Sequence, residues 1–289
     1  MTNDKTGIFR GYMIVTDLDG TFFGPHAARI ERNIEAVKRF TAGGGIFTVA
    51  TGRSSDVIAD ALPDLSELVN APVIGCNGAQ LYDAAAGVTT AERPLPPDVG
   101  EVFDYILEKY PGYGMRISVP GGFLVSRENY DKSAMLRRDL SRARASRVAF
   151  LPRSEWGSLK WYKLVVRAEP GEVDALRADI ESAFPGRYCL SKSGSTFFEL
   201  QSKDTDKAFW FGMLREYAAK RTGIPPIVIA AGDYENDLPM LRAADVGVCP
   251  ANATEEVKRE ADFCLCANTE GVIAELVERI EKIENGNPV

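Results

Sequence analysis

Short apolar segments that alternate with amphipathic helices are the feature that most limits how this chain can fold. Residues 13–16, 46–50 and 227–231 are apolar and rich in β-branched side chains, and each segment stops at a polar or glycine-containing tip. Such segments are typical of strands buried on both faces of a parallel sheet. Apolar residues at helical spacing follow the first segment, between residues 30 and 40. The pattern predicts an α/β fold, with a Rossmann-like doubly wound parallel sheet.

Two further segments continue this alternation. Residues 73–76 form a third apolar segment in chain order, and residues 207–222 are predicted to form a helix that leads into the strand at 227–231. In doubly wound sheets, ligands bind in the crevice outside the carboxyl ends of the strands. We therefore expect one crevice to contain the residues that follow the four strands: Asp17, Thr51, Asn77 and Asp233.

The middle of the chain, residues 83–197, has a different pattern. Helical stretches there are followed by consecutive strands, such as those at 187–191 and 196–200, which is typical of an α+β unit. A chain of 289 residues is long enough for two ordinary domains. We predict a catalytic core made of residues 1–82 and 198–289, with an α+β cap inserted between them.

Charge and cysteine content exclude some classes of protein. The formal net charge of −7 argues against a general nucleic-acid-binding surface, which would carry a basic excess. No apolar stretch is long enough for a signal peptide or a membrane span. Five scattered cysteines fit a reducing compartment better than a disulfide framework. We expect a cytoplasmic protein without a nucleic-acid or membrane partner, and its oligomeric state stays open.

Cys264 and Cys266 allow two interpretations. Their C-x-C spacing could provide a pair of metal ligands, but no second cysteine or histidine pair lies nearby in the sequence. Both residues belong to the apolar run Phe263-Cys264-Leu265-Cys266, so we interpret them as buried strand residues.

Acidic residues at two strand tips point to a metal site. The sequence Asp17-Leu18-Asp19-Gly20-Thr21 places two carboxylates directly after a predicted strand. Taken alone, the D-x-D pattern is equally compatible with a solvated turn. Residues 232–237 add Asp233, Asn236 and Asp237 after another strand, and together these groups predict an oxygen-only site for Mg²⁺.

Two other segments offer groups that suit a phosphate. Thr51 and Gly52 provide a hydroxyl and free backbone N–H groups where a helix is expected to start, and helix N-termini bind anions. Lys207 could neutralise the charge of a phosphoryl group and of the clustered carboxylates. Lys203 is a second candidate for this role, but we favour Lys207 because the helical pattern starts from it.

Four motifs in their order resemble those of the haloacid dehalogenase-like phosphatases, and within them the Cof-type branch, subfamily IIB. They are D-L-D-G-T at 17–21, A-T-G-R at 50–53, N-G-A at 77–79 and G-D-x-x-N-D-x-x-M-L at 232–241. The resemblance covers nearly the whole chain. It implies the fold of that family with a C2-type α+β cap over the active site.

The resemblance also implies roles for individual residues. Asp17 would be the nucleophile, and Asp19 the general acid that later activates water. Mg²⁺ would be held by the carboxylates of Asp17 and Asp233 and the backbone carbonyl of Asp19, with Asp237 assisting. Lys207 would be a catalytic residue that neutralises charge on the phosphoryl oxygens, and the phosphate would be bound by Thr51, Gly52, Arg53, Asn77 and Asn236.

These roles predict a Mg²⁺-dependent phosphatase that acts on a sugar phosphate or a similar small phosphorylated metabolite through an aspartyl-phosphate. Asp19 favours a phosphatase over a dehalogenase, which has no leaving alcohol to protonate. A phosphomutase-type phosphotransferase is the first alternative. A non-enzymatic binding or regulatory module is the second.

Several other residues are expected to be structural. His26 is interpreted as a loop residue. Trp156, Trp161, Tyr162 and Lys163 could line a substrate pocket, but aromatic residues on a strand more often belong to a core. A solvated helical face, from which one arginine could reach a substrate anion, is predicted for an arginine-rich segment: Arg137, Arg138, Arg142, Arg144 and Arg147.

Overall fold

The computed structural model describes residues 7–141 and 144–286, so Arg142 lies outside the described residues. The strands are β1 Tyr12–Thr16, β2 Ile46–Val49, β3 Val73–Gly75, β4 Gln80–Asp83, β5 Val88–Glu92, β6 Gly114–Val119, β7 Gly122–Leu124, β8 Val148–Ala149, β9 Lys163–Arg167, β10 Tyr188–Gly194, β11 Phe197–Ser202, β12 Ile227–Ala231, β13 Val246–Pro250 and β14 Phe263–Leu265. The α-helices are α1 Glu31–Ala42, α2 Ser55–Ala61, α3 Leu65–Leu68, α4 Val99–Lys109, α5 Arg127–Lys132, α6 Ala134–Leu140, α7 Val173–Ala183, α8 Phe211–Thr222, α9 Leu238–Ala243, α10 Glu255–Glu260 and α11 Val272–Glu284.

The core is a five-stranded sheet in the order β14-β13-β12-β1-β2, in which every neighbouring pair is parallel. Successive strand residues enter opposite layers: Ile14 and Ile229 pack in the layer with α1 and α11, whereas Met13 and Val228 pack in the layer with α8 and α9. Since both faces are covered, the strands are apolar throughout rather than alternating. The predicted doubly wound α/β core is confirmed.

The third predicted strand does not extend this sheet as expected. β3 pairs antiparallel with β4, and β4 pairs antiparallel with β5, so the three form a small separate sheet. A single parallel bridge, between Ala50 and Ile74, links it to the end of β2. The chain reverses after β3 because Cys76 and Asn77 both adopt positive φ, at 49° and 52°.

The second large unit is a six-stranded sheet in the order β10-β11-β9-β6-β7-β8, antiparallel except between β7 and β8. Helix α6 contacts one face of this sheet at Gly114, and helices α4 and α7 cover the other face, where they pack on residues such as Ile117, Leu164 and Phe198. The intervening residues, including Arg116 and Lys163, lie on the opposite face and line a cavity. This sheet agrees with the predicted inserted α+β cap.

The predicted boundaries of the cap fall within strands. Position 82 lies inside β4, whose hairpin with β5 stays beside the core through β3, and position 198 lies inside β11. The domain limits 1–82, 83–197 and 198–289 therefore remain a prediction, and the strand pairing favours placing the first boundary after Glu92.

Two details of the sequence interpretation are wrong. The helix predicted from residue 207 begins only at Phe211, and Lys207 lies in the turn before it. Cys264 does lie in a strand, but β14 is the edge of the sheet, where Cys264 is exposed and Phe263 is 55% exposed. An apolar run alone does not reveal that a strand has a neighbour on only one side.

No helix in the described part of the chain combines the length and the apolar character needed to span a membrane.

Candidate active site

The strand tips of the core meet the face of the cap sheet opposite α4 and α7 around a cavity of about 430 Å³. Most of the residues predicted from the sequence line it: Asp17, Asp19, Thr51, Gly52, Arg53, Asp233, Asn236 and Asp237. Lys207 is buried and lies behind Asp17, and Asn77 lines a neighbouring cavity of about 280 Å³ together with Asn236. One crevice therefore gathers residues from β1, β2 and β12, as their positions at the carboxyl ends of parallel strands require.

Three carboxylates and one ammonium form the floor of the cavity. Carboxylate oxygens of Asp17, Asp233 and Asp237 lie within 4.8 Å of one another. The Lys207 ammonium donates to Asp17 Oδ1 at 2.6 Å and to Asp237 Oδ1 at 2.5 Å. Three carboxylates share a single ammonium, and every atom that they offer to a metal is an oxygen. The cluster therefore fits a hard divalent cation.

The pKa values of these groups reflect their burial and the excess of carboxylates over ammonium groups. Burial raises the pKa of Asp17 well above its usual range, against the lowering effect of Lys207. Burial, followed by the charge of Asp237, raises the pKa of Asp233 to about 7. Burial opposes the charged form of Lys207, but the carboxylates of Asp17 and Asp237 outweigh it and raise its pKa. Without a cation, the cluster favours retaining a proton.

Asp233 is fixed by contacts to two neighbouring loops. Its Oδ1 accepts a hydrogen bond of 2.9 Å from the Thr21 hydroxyl, and Asp237 Oδ2 accepts from its backbone N–H at 2.9 Å. Gly20 lies against it with φ of +92°, and a Cβ atom added there would lie 2.3 Å from Asp233 Oδ2. Only glycine permits this approach, because the position demands both a left-handed backbone and no side chain.

Asp19 is held by Arg53 rather than by the acidic cluster. Its Oδ2 and Oδ1 accept hydrogen bonds from Nε and Nη2 of Arg53 at 2.7 and 2.6 Å. Beside them, Thr51 is buried and its hydroxyl accepts from the Arg53 backbone N–H at 3.2 Å. The loop between β2 and α2 thus brings a hydroxyl, a guanidinium and Gly52 to the same cavity as Asp233.

Comparison with known proteins agrees with this arrangement. A family model described as haloacid dehalogenase-like hydrolase matches residues 14–277. The chain belongs to the haloacid dehalogenase-like hydrolase family. The predicted family, fold class and phosphatase type of enzyme are therefore confirmed.

Curated relatives of this hydrolase carry phosphatase names. It is 24% identical to the pyridoxal phosphate phosphatase YbhA of Escherichia coli over 284 residues, 92% of this chain and 97% of that protein. It is 47% identical to the phosphoglycolate phosphatase of Methanopyrus kandleri, but over only 103 residues, 35% of this chain and 42% of that protein. The second match is closer in sequence and covers less than half of either protein.

Solved structures share the fold of this hydrolase over nearly its whole length. The structure of SMU.1108c from Streptococcus mutans superposes with a TM-score of 0.78 at 21% identity, covering 92% of this chain and 97% of that one. The subclass IIB sugar phosphatase BT4131 superposes with a TM-score of 0.76 at 20% identity, covering 93% and 98%. At such identities the likeness concerns the fold.

A chain of hydrogen bonds joins the cap of this hydrolase to the loop between β2 and α2. The Lys163 ammonium, from cap strand β9, donates to the Gly52 carbonyl and to Glu199 Oε1, both at 2.8 Å. Glu199 in turn accepts from Asn77 at 2.5 Å, and Asn77 accepts from Asn236 at 3.3 Å. Asn77 thereby lies beside Gly52 and contacts the cap through Glu199, a contact that the sequence did not predict.

Lys163 was grouped with the core aromatics in the sequence, and only the aromatics fit that interpretation. All four residues are buried, but Lys163 also lines the cavity, where its ammonium pairs with Glu199. Sequence analysis did not find the other cavity-lining groups of the cap: Arg116, Ser118, Phe123, Asp139, Val165, Ser193, Phe197 and Glu199. The signal that could have found several of them is the period-two alternation of polar and apolar residues along β6 and β9, because one face is buried under α4 and α7.

Two groups of ion pairs connect the cap to the core. Glu235, in the turn after β12, pairs with Arg177 at 2.6 Å and with Lys192 at 3.5 Å. In the second group, Asp60 of α2 pairs with Arg144 at 2.7 Å and with Arg147 at 3.1 Å. The second half of the arginine-rich segment is therefore a contact with the core.

The first half of that segment matches the expectation better. Arg137 and Arg138 are exposed on α6, as predicted for a solvated face. His26 lies exposed in a single 3₁₀ turn, which agrees with its interpretation as a loop residue.

Proposed function

We propose that this hydrolase is a Mg²⁺-dependent phosphatase that hydrolyses a small phosphomonoester through an aspartyl-phosphate on Asp17. The observation that carries the proposal is the position of the Asp17 carboxylate, which lines the cavity while its Oδ1 is held by Lys207 beside Asp233 and Asp237. A nucleophilic carboxylate divides the hydrolysis into two easier transfers.

Mg²⁺ would be held by the carboxylates of Asp17, Asp233 and Asp237 and by the Asp19 carbonyl, and would supply positive charge at the transferred phosphoryl group. The donor set supports this, since three clustered carboxylates have only one ammonium beside them. Thr51, Gly52 and Lys207 would bind or neutralise the phosphoryl oxygens. Charge stabilisation and positioning dominate catalysis of phosphoryl transfer.

In the first step, an Asp17 oxygen forms a bond to phosphorus as the ester P–O bond breaks. The leaving alkoxide takes a proton from Asp19. In the second step, Asp19 removes a proton from water as that water attacks phosphorus, and inorganic phosphate leaves with the Asp17 carboxylate restored.

Asp19 can serve as the acid only if one of its oxygens carries a proton rather than accepting from Arg53. We infer that Arg53 turns from Asp19 to the phosphate when substrate binds. The planar guanidinium suits either partner, because carboxylate and phosphate present similar pairs of oxygens.

The proposed substrate class is that of small phosphorylated metabolites. A cavity of about 430 Å³ accommodates a ligand of that size. The substrates in the names of the two curated relatives, pyridoxal phosphate and phosphoglycolate, are also small phosphate esters. Sugar phosphates belong to the same class.

The test measures phosphate release from a panel of phosphomonoesters, with Mg²⁺ and with a chelator. Wild type should release phosphate only with Mg²⁺, and Asp17→Asn should release none while keeping its fold. Asp131→Asn, an exposed change on α5, is the matched control. Activity retained in Asp17→Asn would exclude the aspartyl-phosphate, and phosphate moved between positions of a hexose phosphate without release would favour the phosphomutase alternative.

A further inference from the structure

Two buried polar side-chain atoms have no hydrogen-bond partner among the described residues, and both belong to residues that line the 430 Å³ cavity. They are Ser54 Oγ, on the core side at the start of α2, and Arg116 Nε, on cap strand β6. A buried polar atom without a partner costs free energy, so such atoms call for a ligand or a water molecule. An unpaired polar atom therefore lies on the core side and another on the cap side of the same cavity.

The Arg116 side chain is held in place before any ligand arrives. Its Nη1 donates to Asp139 Oδ2 at 2.6 Å, and its guanidinium carbon lies 4.8 Å from the ring centre of Phe123 and 5.9 Å from that of Phe197. Ring contacts and an ion pair restrict the guanidinium to one orientation. A group fixed in this way loses little conformational entropy when it binds.

The charged side chains on the cap side of the cavity include one more cation than anion. Asp139 is shared between Arg116 and Arg167, whose Nη1 lies 3.5 Å from Asp139 Oδ1. Lys163 and Glu199, the other charged residues of the cap that line the cavity in the described chain, pair with each other. Two guanidinium groups with one carboxylate favour an additional anion at Arg116.

We propose that Arg116 forms a second anion subsite, and that the substrate carries a carboxylate or a second phosphate on its leaving group. The proposal rests on the proposed function, because it places the reacting phosphate at Asp17 and the second anion at the cap. Carboxylate and phosphate share the chemistry that a guanidinium recognises, a pair of oxygens facing two N–H groups.

Two matched pairs of esters separate the sources of the anion. 3-Phosphoglycerate differs from glycerol 3-phosphate in carrying a carboxylate, and fructose 1,6-bisphosphate differs from fructose 6-phosphate in carrying a second phosphate. Wild type should show a kcat/KM at least about tenfold higher for the doubly anionic member of one pair. That pair identifies the anion as carboxylate or phosphate.

Variants then assign the preference to Arg116. Arg116→Gln should lower kcat/KM for the preferred diacid by about ten- to a hundredfold and change its singly anionic partner by less than about threefold. Arg138→Gln, on the exposed face of α6, is the matched control and should leave both values unchanged. Asp139→Asn keeps Arg116 but removes its competing carboxylate, so it should raise kcat/KM for the diacid, whereas a purely structural role of the pair predicts a decrease.

Two results would overturn the proposal while leaving the proposed function intact. One is a wild type that hydrolyses both members of each pair equally well, and the other is an Arg116→Gln variant that loses activity equally on both members. If wild type hydrolyses no ester, the proposed function fails instead. In that case, the subsite is tested by the shift in melting temperature that each ester causes. A larger shift with the diacid than with its singly anionic partner, lost in Arg116→Gln, supports the subsite. Equal shifts with the two esters, or no shift, reject it.

Discussion

Arg53 donates two hydrogen bonds to the carboxylate of Asp19, at 2.7 and 2.6 Å, so both oxygens of the proposed general acid are engaged. The structure therefore represents a state in which the acid is ion-paired. The proposed reaction needs this pair to separate, and Arg53 has a second suitable partner in the substrate phosphate. Arg53 would then change partner, from Asp19 to the phosphate and back, with each turnover.

The first prediction concerns the leaving group. Asp19→Asn should slow hydrolysis of alkyl phosphates by about 10²- to 10⁴-fold, because their alkoxide requires a proton. p-Nitrophenyl phosphate has a leaving group that needs no proton, so the variant should still release nitrophenol in a burst of one equivalent per active site. Rapid-quench measurement of nitrophenol and phosphate checks this.

The burst should be absent in the Asp17→Asn/Asp19→Asn double variant, which lacks the nucleophile. An equal loss of the burst phase and of steady turnover in Asp19→Asn alone would contradict the assignment of Asp19 as acid and base.

The second prediction concerns pH and metal removal. The pKa of Asp233 is raised to about 7 in the folded protein, so the folded state binds more protons than the unfolded state between about pH 4 and about pH 7. The stability of the chelated protein should therefore fall as pH rises through this window. Mg²⁺ should remove the fall, since it replaces the proton as partner of the carboxylate. Melting temperatures with Mg²⁺ and with chelator measure the effect.

Asp233→Asn provides the control for this dependence. The chelated variant should have a flatter pH profile than chelated wild type, and Mg²⁺ should stabilise it less. Identical profiles for the two proteins would show that Asp233 does not carry the shift.

The acidic site could be predicted from sequence because its members sit at the tips of strands whose apolar character identifies them as parallel and buried. The ends of β1 and β12 meet in any such sheet, so Asp17 and Asp233 are brought together by topology alone. Arg116 was missed, and Lys163 was assigned to a core, for a different reason. They reach the site from the cap, and the way in which one unit packs on the other depends on contacts distant in sequence.

Local backbone geometry explains the other errors. Val73–Gly75 has the composition of a parallel strand, but the positive φ values at Cys76 and Asn77 turn the chain back on itself. Lys207 precedes α8 rather than starting it, and its position there places its ammonium between Asp17 and Asp237. Neither feature follows from hydrophobic periodicity.

The third prediction isolates the close approach of Gly20 to Asp233. Gly20→Ala places a methyl group 2.3 Å from Asp233 Oδ2, so Asp233 must move, and it also strains a φ of +92°. Gly171→Ala imposes the same strain at φ of +91°, with no atom within 4 Å of the new methyl group. Both should lose about 1–3 kcal/mol of stability from strain, but only Gly20→Ala should lose Mg²⁺-dependent activity.

Urea denaturation and phosphate release measure these two effects. Full activity in Gly20→Ala would show that Asp233 can move away without consequence for the site.

The fourth prediction concerns the buried pair between cap and core. In Lys163→Met, the Glu199 carboxylate loses its ammonium partner while both positions remain buried, and stability should fall by about 3–5 kcal/mol. Lys163→Met/Glu199→Gln should recover most of this loss, because a neutral amide still hydrogen-bonds Asn77. Equal stability of the single and double variants would contradict a charge-based explanation, and denaturant titration distinguishes the two.

The contact of Glu235 with the cap links the cap to the proposed metal site. Residues 232–237 carry the proposed metal ligands Asp233 and Asp237 at their ends and Glu235, bound to Arg177 and Lys192, between them. Because these residues share one short turn, a shift of Asp233 or Asp237 would displace Glu235 and disturb its ion pairs with Arg177 and Lys192. Binding at the proposed metal site and contact between cap and core would therefore be coupled through one short piece of backbone.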